Sequence, residues 1–339
     1  LLGKAFSLAM IENEKMKIES CDFASNTSNV IGLDENLKIA VLMGGPGAER
    51  EVSLASGSAV LKSLCEQGFN AVGVEVVDRE PQLPKSTGLV FNIIHGTFGE
   101  DGELQQYLER LGVAYTGAGK QSSRLAFDKN LSKECFVKQG VPTPGSEFLD
   151  CSRELRLPQM PVPYVVKPPR EGSSVGIRVV KEEAHALTAI ESAAAINSDL
   201  LIEEFIEGRE LTVAILDGEV FPIVEIIPPE GEWYDMETKY PWLSGKSGGS
   251  QYLCPASLSA EEERRVKEAA KKAYDALGIE VYSRVDVLLN SSGNPYVLEA
   301  NTIPGMTETS LLPMAGVKAG YSFGDLCVRI CELSLALRT

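Results

Sequence analysis

Asp286, Glu299 and Asn301 are the residues whose types and spacing point most directly to chemistry. Residues 283–289 read as a strand that carries one carboxylate among apolar side chains, and residues 290–294 read as a turn. Residues 296–301 then return with Glu299 and Asn301 two positions apart, hence on one face of a strand. Three oxygen donors gathered by one hairpin suit a hard cation such as Mg²⁺, with substrate phosphates completing the shell. The competing reading is a hairpin whose acids sit on a solvated face, because acidic side chains are mostly exposed.

Four further segments combine chemistry-bearing residues with loops. Gly44-Gly45-Pro46-Gly47 lies between a strand and a helix, where backbone N–H groups can seat an anion. It is not GxGxxG, and although Asp78 ends the next strand, the spacing fits a dinucleotide site poorly. Glu49-Arg50-Glu51, at the start of that helix, is denser in charge than a cap requires, and a carboxylate here can hold a cationic amine. His95 to Gly102 (HGTFGEDG) packs a histidine, two acids and three glycines behind the third strand, where α/β proteins place ligand loops; a structural histidine is the alternative. Lys167 and Arg170 precede a Gly/Ser turn over residues 172–176, whose N–H and hydroxyl groups can cover phosphates; an ordinary hairpin loop is the alternative. Lys167 follows three apolar residues, so its ammonium needs an anionic partner. Residues 203–210 (EEFIEGRE) follow a buried strand, where main chain can read adenine and a carboxylate can bind ribose. A solvated acidic turn is the alternative there.

The elements that must position these residues follow from hydrophobic period. Residues 38–43, 71–77 and 89–94 are short apolar runs, the first two separated by a helical pattern from Ser53 to Gly68. That is a βαβ-style parallel unit. Residues 126–139 read as one helix stopped by Gly140, and 181–196 and 260–277 as two more. Strands are expected at 161–167 and 200–205.

The chain has 339 residues, with 32 basic and 48 acidic side chains for a net charge of −16. That argues against general nucleic-acid or anionic-membrane binding, which needs basic patches, while leaving room for a local phosphate pocket. Two histidines, His95 and His185, exclude a histidine-rich metal site. Seven cysteines without a CxxC pair imply a reducing compartment, with Cys327 and Cys331 as core thiols. No apolar run reaches the roughly 18 residues of a spanning helix. The chain begins with Leu, so a fragment or processed product is expected, with residues 1–37 a linker or disordered arm.

Taken in order, these segments resemble one family. The opening residues 38–45 and 48–53, HGTFGEDG (95–102), AFDKNLSK (126–133), VVKPPREGSSVG (165–176), YDMETKY (234–240), SRVDV (283–287) and LEANTIPGMTETSLLPMAG (298–316) are similar to D-alanine–D-alanine ligases. The resemblance runs from Lys38 to about Leu335. It implies an α/β ATP-grasp fold with α+β subdomains and an N-terminal Rossmann-like parallel-sheet domain. The implied boundaries are 38–124 for the N-terminal substrate domain, 125–206 for the central ATP-grasp subdomain and 207–339 for the C-terminal subdomain with the metal site.

The implied reaction is phosphorylation of one D-alanine by ATP, followed by attack of a second D-alanine's amine on the acyl phosphate. The resemblance implies that Asp286, Glu299 and Asn301 hold two Mg²⁺ (or Mn²⁺) ions. Lys129, Lys167 and Lys239 would contact phosphates. Glu203, Glu204, Ile206 and Glu210 would surround adenine and ribose, with Trp233 and Leu288 at the border. Glu49 would bind the first ammonium, with His95 nearby, and Ser173 and Tyr240 would join Glu49 in a hydrogen-bonded set that orders a loop over the site. Arg284 and the main chain at Gly305 would stabilise the oxyanion, while Ser310 and Leu311 would receive the second substrate's carboxylate. Tyr240 favours an amine over a D-lactate nucleophile. Two departures stand out: the Gly/Ser-rich stretch 241–250 is several residues longer than usual, and Trp233 and Met236 are unusual swaps. Family members are commonly dimers, so a homodimer is expected, in the cytoplasm or, for a fragment of a fused eukaryotic protein, in a plastid. A non-catalytic nucleotide-binding module is the alternative from another class; the intact acids, lysines and Arg284 argue against it.

Overall fold

The computed structural model describes residues 18–20, 33, 34, 36–172, 174–229 and 249–338. Three sheets organise them. The first contains β1 (Ile18–Ser20), β2 (Lys38–Gly44), β3 (Ala71–Val76), β4 (Thr87–Asn92) and β5 (Ala114–Tyr115), in the order β1-β3-β2-β4-β5. Strands β2 to β5 are parallel, whereas β1 pairs antiparallel with β3. Thus three residues of the stretch expected to be a linker form an edge strand.

The apolar runs of this sheet are continuous because both faces are covered. Ile39, Val41 and Met43 pack with Val60, Leu61 and Leu64 of α1 (Arg50–Glu66). Ala40 and Leu42 pack on the other side with Leu104 and Leu108 of α2 (Glu103–Leu111).

The single helix expected over 126–139 is two helices, α3 (Lys120–Phe127) and α4 (Lys129–Gln139). Asp128 breaks them. Its backbone is extended, and its carboxylate accepts N–H bonds from Asn130 and Leu131 at 3.0 and 3.3 Å. Side-chain capping has overridden the apolar period here.

The second sheet is antiparallel, with β6 (Ser146–Asp150), β7 (Tyr164–Lys167), β8 (Arg178–Val180) and β9 (Asp199–Glu204) in the order β6-β9-β7-β8. Helix α5 (Ala186–Ala194) covers one face, placing Ile190 and Ala193 among Leu149, Val166 and Ile202. The third sheet holds β10 (Gly208–Leu216), β11 (Glu219–Val220), β12 (Val224–Ile227), β13 (Gln251–Leu253), β14 (Tyr282–Asn290) and β15 (Pro295–Asn301). Its order is β13-β12-β10-β14-β15, with β11 paired to β10. Helix α6 (Ala260–Ala276) starts at a reciprocal Ser259–Glu262 capping box and lays Val266, Ala269, Ala270 and Ala273 on this sheet. Helices α7 (Leu311–Lys318) and α8 (Phe323–Arg338) return the chain to the first sheet. Leu312, Cys327, Ile330 and Cys331 share a core with Ile39, Val41 and Leu64.

Among the described residues no helix is long and apolar enough to cross a membrane. Cys327 and Cys331 are buried thiols, as expected, and burial pushes Cys327 up to about 12. Cys65 departs from the reduced-thiol expectation: it is disulfide-bonded.

Candidate active site

Strand period decides which side chains of β14 do chemistry. Val285, Val287 and Leu289 face α6 in the core, so Arg284, Asp286 and Leu288 share the opposite face. On β15 the alternation is reset. Val287 pairs with Val297, but Asp286 pairs with Glu299, so Leu298 is an extra residue opposite a single step of β14. This bulge keeps Val297 in the core and turns Glu299 and Asn301 to the face that carries Asp286 and Arg284. Without it, Glu299 would point where Val297 points. The turn before β15 is held by Asn290, whose carboxamide oxygen accepts from the N–H groups of Ser292 and Asn294 at 3.0 and 2.9 Å.

Two carboxylates directly opposite one another repel unless cations sit beside them. Arg284 donates to both oxygens of Asp286, at 3.0 and 3.1 Å. Thr212 Oγ1 and Asn301 Nδ2 donate to Asp286 as well, at 2.6 and 3.0 Å. Lys129, the first residue of α4, pairs with Glu299 at 2.9 Å and donates to the Glu171 carbonyl at 2.8 Å. Burial would lower the Lys129 pKa, but Glu299, with Glu203 and Glu100 farther off, holds it above the usual lysine value.

A cavity of about 80 Å³ opens beside this face. It is lined by Glu49, His95, Glu100, Arg284, Glu299 and Asn301 together with Gly305, Ser310 and Leu311. Glu49 is the N-cap position of α1 and makes no capping bond with its side chain, so its carboxylate is turned to the cavity at the positive end of the helix. The glycines of the loop after β4 let its backbone close around that carboxylate: a Cβ on Gly96 would stand 2.7 Å from Glu49 Oε2. Gly99 lies so close to the Ile94 carbonyl that a Cβ would overlap it.

His95 is buried, and neither ring nitrogen has a hydrogen-bond partner among the described residues. Burial, with the nearby Arg284 charge, lowers its pKa to about 4, so the ring is neutral. Glu100 ties two loops together, accepting from Gly96 N–H at 2.9 Å and from Ile303 N–H at 3.1 Å. Burial, then the Glu49 charge, raises it to about 8.

A second cluster lies between the second sheet and α4. Glu203, on β9, is paired with Lys167 at the end of β7 and with Lys133 of α4. All three are buried. Although burial opposes ionisation, the two lysines hold the Glu203 carboxyl below the usual carboxylate range. The anionic partner required of Lys167 is therefore Glu203. Glu204 is exposed, and Ile206, Glu210 and Leu288 are half-buried. Glu210 and Leu288 face one another across β10 and β14.

The structure thus brings Glu49, His95, Arg284, Glu299, Asn301, Gly305, Ser310 and Leu311 to one cavity wall, with Asp286 behind it on Arg284 and Asn301 and Lys129 joined to it through Glu299. Lys167 and Glu203 sit in the adjacent cluster. Ser173, Trp233, Met236, Lys239 and Tyr240 lie outside the described residues. Sequence reasoning gave no role to Lys133, Glu100 or Thr212. Lys133 carried a signal, because it stands one helical turn after Lys129 and shares its face.

Among the described residues no group of three or more His, Cys, Asp or Glu side chains makes a metal centre. Asp286, Glu299 and Asn301 supply two carboxylates and one amide oxygen. That set fits Mg²⁺, which is held by one or two carboxylates plus substrate phosphates rather than by an all-protein cage.

The family model described as D-ala D-ala ligase C-terminus matches residues 150–332, and the D-ala D-ala ligase N-terminus model matches residues 70–118. The chain is 47% identical over 297 residues to the D-alanine–D-alanine ligase of Citrifermentans bemidjiense, covering 87% of this chain and 95% of the relative. It is 44% identical over 296 residues to that of Methylacidiphilum infernorum, with 87% and 95% covered. Among solved structures, the D-alanine–D-alanine ligase of Bacillus anthracis complexed with ATP superposes with a TM-score of 0.78 at 31% identity, covering 89% of this chain and 98% of that one. The VanG D-Ala:D-Ser ligase of Enterococcus faecalis gives 0.74 at 28% identity, with 90% and 100% covered. With its parallel first sheet, its two antiparallel sheets and this extent of identity, the chain belongs to the D-alanine–D-alanine ligase family and has the ATP-grasp fold.

Proposed function

We propose that this chain joins two D-alanines at the expense of ATP, making D-alanyl-D-alanine for peptidoglycan precursors. The observation that carries the reading is the convergence on one cavity wall of an amine-binding carboxylate (Glu49), a guanidinium (Arg284) and paired oxygen ligands (Glu299 and Asn301).

ATP transfers its γ-phosphoryl group to the carboxylate of the first D-alanine. The second D-alanine's amine then attacks the acyl carbon, and phosphate leaves with one of the former carboxylate oxygens. Glu49 orients the first ammonium and the neutral His95 ring borders it. Lys129 and Lys167 bind phosphate oxygens, and Glu203, Glu204, Ile206 and Glu210 surround adenine and ribose, with Leu288 and Trp233 at the edge. Two Mg²⁺ (or Mn²⁺) ions on Asp286, Glu299 and Asn301 would neutralise charge on the transferred phosphoryl group. Arg284 and the Gly305 main chain meet the oxyanion of the tetrahedral intermediate, where charge develops. Ser310 and Leu311, at the start of α7, receive the second carboxylate. Ser173, Lys239 and Tyr240 complete the loop that excludes water, which would otherwise hydrolyse the acyl phosphate.

The same reading divides the chain at residues 38–124, 125–206 and 207–339, after an arm over 1–37, and makes the protein a cytoplasmic homodimer. The function is tested by incubating the protein with ATP, Mg²⁺ and equal D-alanine, D-lactate and D-serine. D-Alanyl-D-alanine is the expected main product near neutral pH. A larger yield of the ester or of the D-serine dipeptide would overturn the substrate assignment, and phosphate release that stays at background would overturn the ligase reading.

A further inference from the structure

Lys133, Glu203 and Lys167 form a buried group of two ammoniums and one carboxylate, so the group carries one surplus positive charge. A buried charge without a counter-ion is costly, and an anion brought to this place is correspondingly favoured. The two lysines are not equivalent. Lys133 is fixed from the far side, where Thr143 Oγ1 is within hydrogen-bond reach of its ammonium and itself donates to the Val297 carbonyl at 2.7 Å. It therefore connects β15 to β9. Lys167 ends β7 directly before the Gly/Ser loop, and its side chain is 10% exposed against 5% for Lys133. Lys167 is therefore the member of the group that adjoins the loop, and Lys133 the member held against β15.

We propose that Lys133 is a positioning residue of the nucleotide pocket: it neutralises Glu203 and so leaves the Lys167 ammonium available to a nucleotide phosphate. This rests on the nucleotide reading given above. If Lys133 is removed, Glu203 and Lys167 form a closed neutral pair. The carboxylate still has a counter-ion, so the fold survives, and what is lost is the attraction for phosphate.

The test compares ADP with adenosine, which lacks phosphates, by calorimetric titration of the whole chain and of its Lys133→Met and Lys133→Arg variants. For Lys133→Met the ADP affinity falls about ten-fold or more, equivalent to about 1.4 kcal/mol. Adenosine affinity stays within two-fold. In steady state the KM for ATP rises while the KM for D-alanine stays within two-fold, and Lys133→Arg recovers most of the loss. Adding Glu203→Gln to Lys133→Met restores the spare charge on Lys167 and recovers part of the ADP-over-adenosine preference, even if both affinities are lower. Equal losses of ADP and adenosine in Lys133→Met, or an unchanged ADP affinity, would overturn the inference. Should Lys133→Met not fold, the double variant decides alone: an ADP-over-adenosine preference below a tenth of the unsubstituted chain's overturns the inference. An unsubstituted chain that binds neither ligand overturns the nucleotide reading itself.

Discussion

Replacing Glu299 by Gln keeps the shape of the side chain and removes one charge from the cavity wall. The structural cost follows from its surroundings. Lys129 sits 2.9 Å away and also donates to the Glu171 carbonyl, and the amide oxygen of Gln can still accept from it. A charge-assisted bond becomes a bond to a neutral acceptor, a loss of about 1–2 kcal/mol at a partly buried site. A domain stable by about 5–15 kcal/mol remains almost wholly folded after that loss, and its melting midpoint shifts by a few degrees. The catalytic cost is larger. Loss of one of two carboxylate ligands weakens the hold on Mg²⁺ where the phosphoryl group is transferred, and we expect kcat/KM to fall at least about 100-fold, or about 2.7 kcal/mol. The assay is dipeptide formation over a Mg²⁺ titration, beside a thermal melt. Wild-type turnover with an unchanged Mg²⁺ dependence would refute the ligand assignment. A melting midpoint lowered by more than about 10 °C in step with the activity would show that Glu299 acts through the fold.

Three further outcomes follow from the site. Arg284→Met leaves Asp286 with its Thr212 and Asn301 partners, so the protein stays folded while kcat falls about 10²–10³-fold; a change in KM for ATP alone would contradict the oxyanion role. His95 is lowered from 6.5 to about 4 by burial and by Arg284, so between those values the unfolded chain binds a proton that the folded one refuses. Its contribution to stability therefore rises with pH from about 4 to 6.5 and is flat above. The stability of wild type relative to His95→Gln, measured by urea denaturation, should rise across that window, and a pH-independent difference would contradict it. Deleting Leu298 removes the bulge and leaves Val297 and Glu299 on successive positions of β15, hence on opposite faces, so Glu299 and Asn301 stay opposite Asp286 and Arg284 and folded protein with Mg²⁺-dependent activity should be recovered; an insoluble or inactive variant would show that the register alone does not set the site.

Much of this arrangement is legible before folding. The runs in β2, β3 and β4 are apolar throughout because helices cover both faces, and the Asn290 turn marks the hairpin that opposes Asp286 and Glu299. Local chemistry explains one miss: Asp128 caps α4 inside what reads as a single helical period. Distance along the chain explains the others. That Lys133 meets Glu203 depends on β9 arriving some 70 residues later, and that Glu100 holds Ile303 depends on a contact across more than 200. The bulge at Leu298 is equally silent in sequence, since nothing in its residue type distinguishes it from a paired position.

The chemical claim at the centre of this account is that a substrate carboxylate oxygen becomes a phosphate oxygen. D-Alanine labelled with ¹⁸O in its carboxylate, incubated with ATP, Mg²⁺ and the protein, tests it by mass analysis of the released phosphate. One labelled oxygen per dipeptide formed is the predicted result. Dipeptide accompanied by unlabelled phosphate, or labelled D-alanine recovered without any dipeptide, would contradict the account.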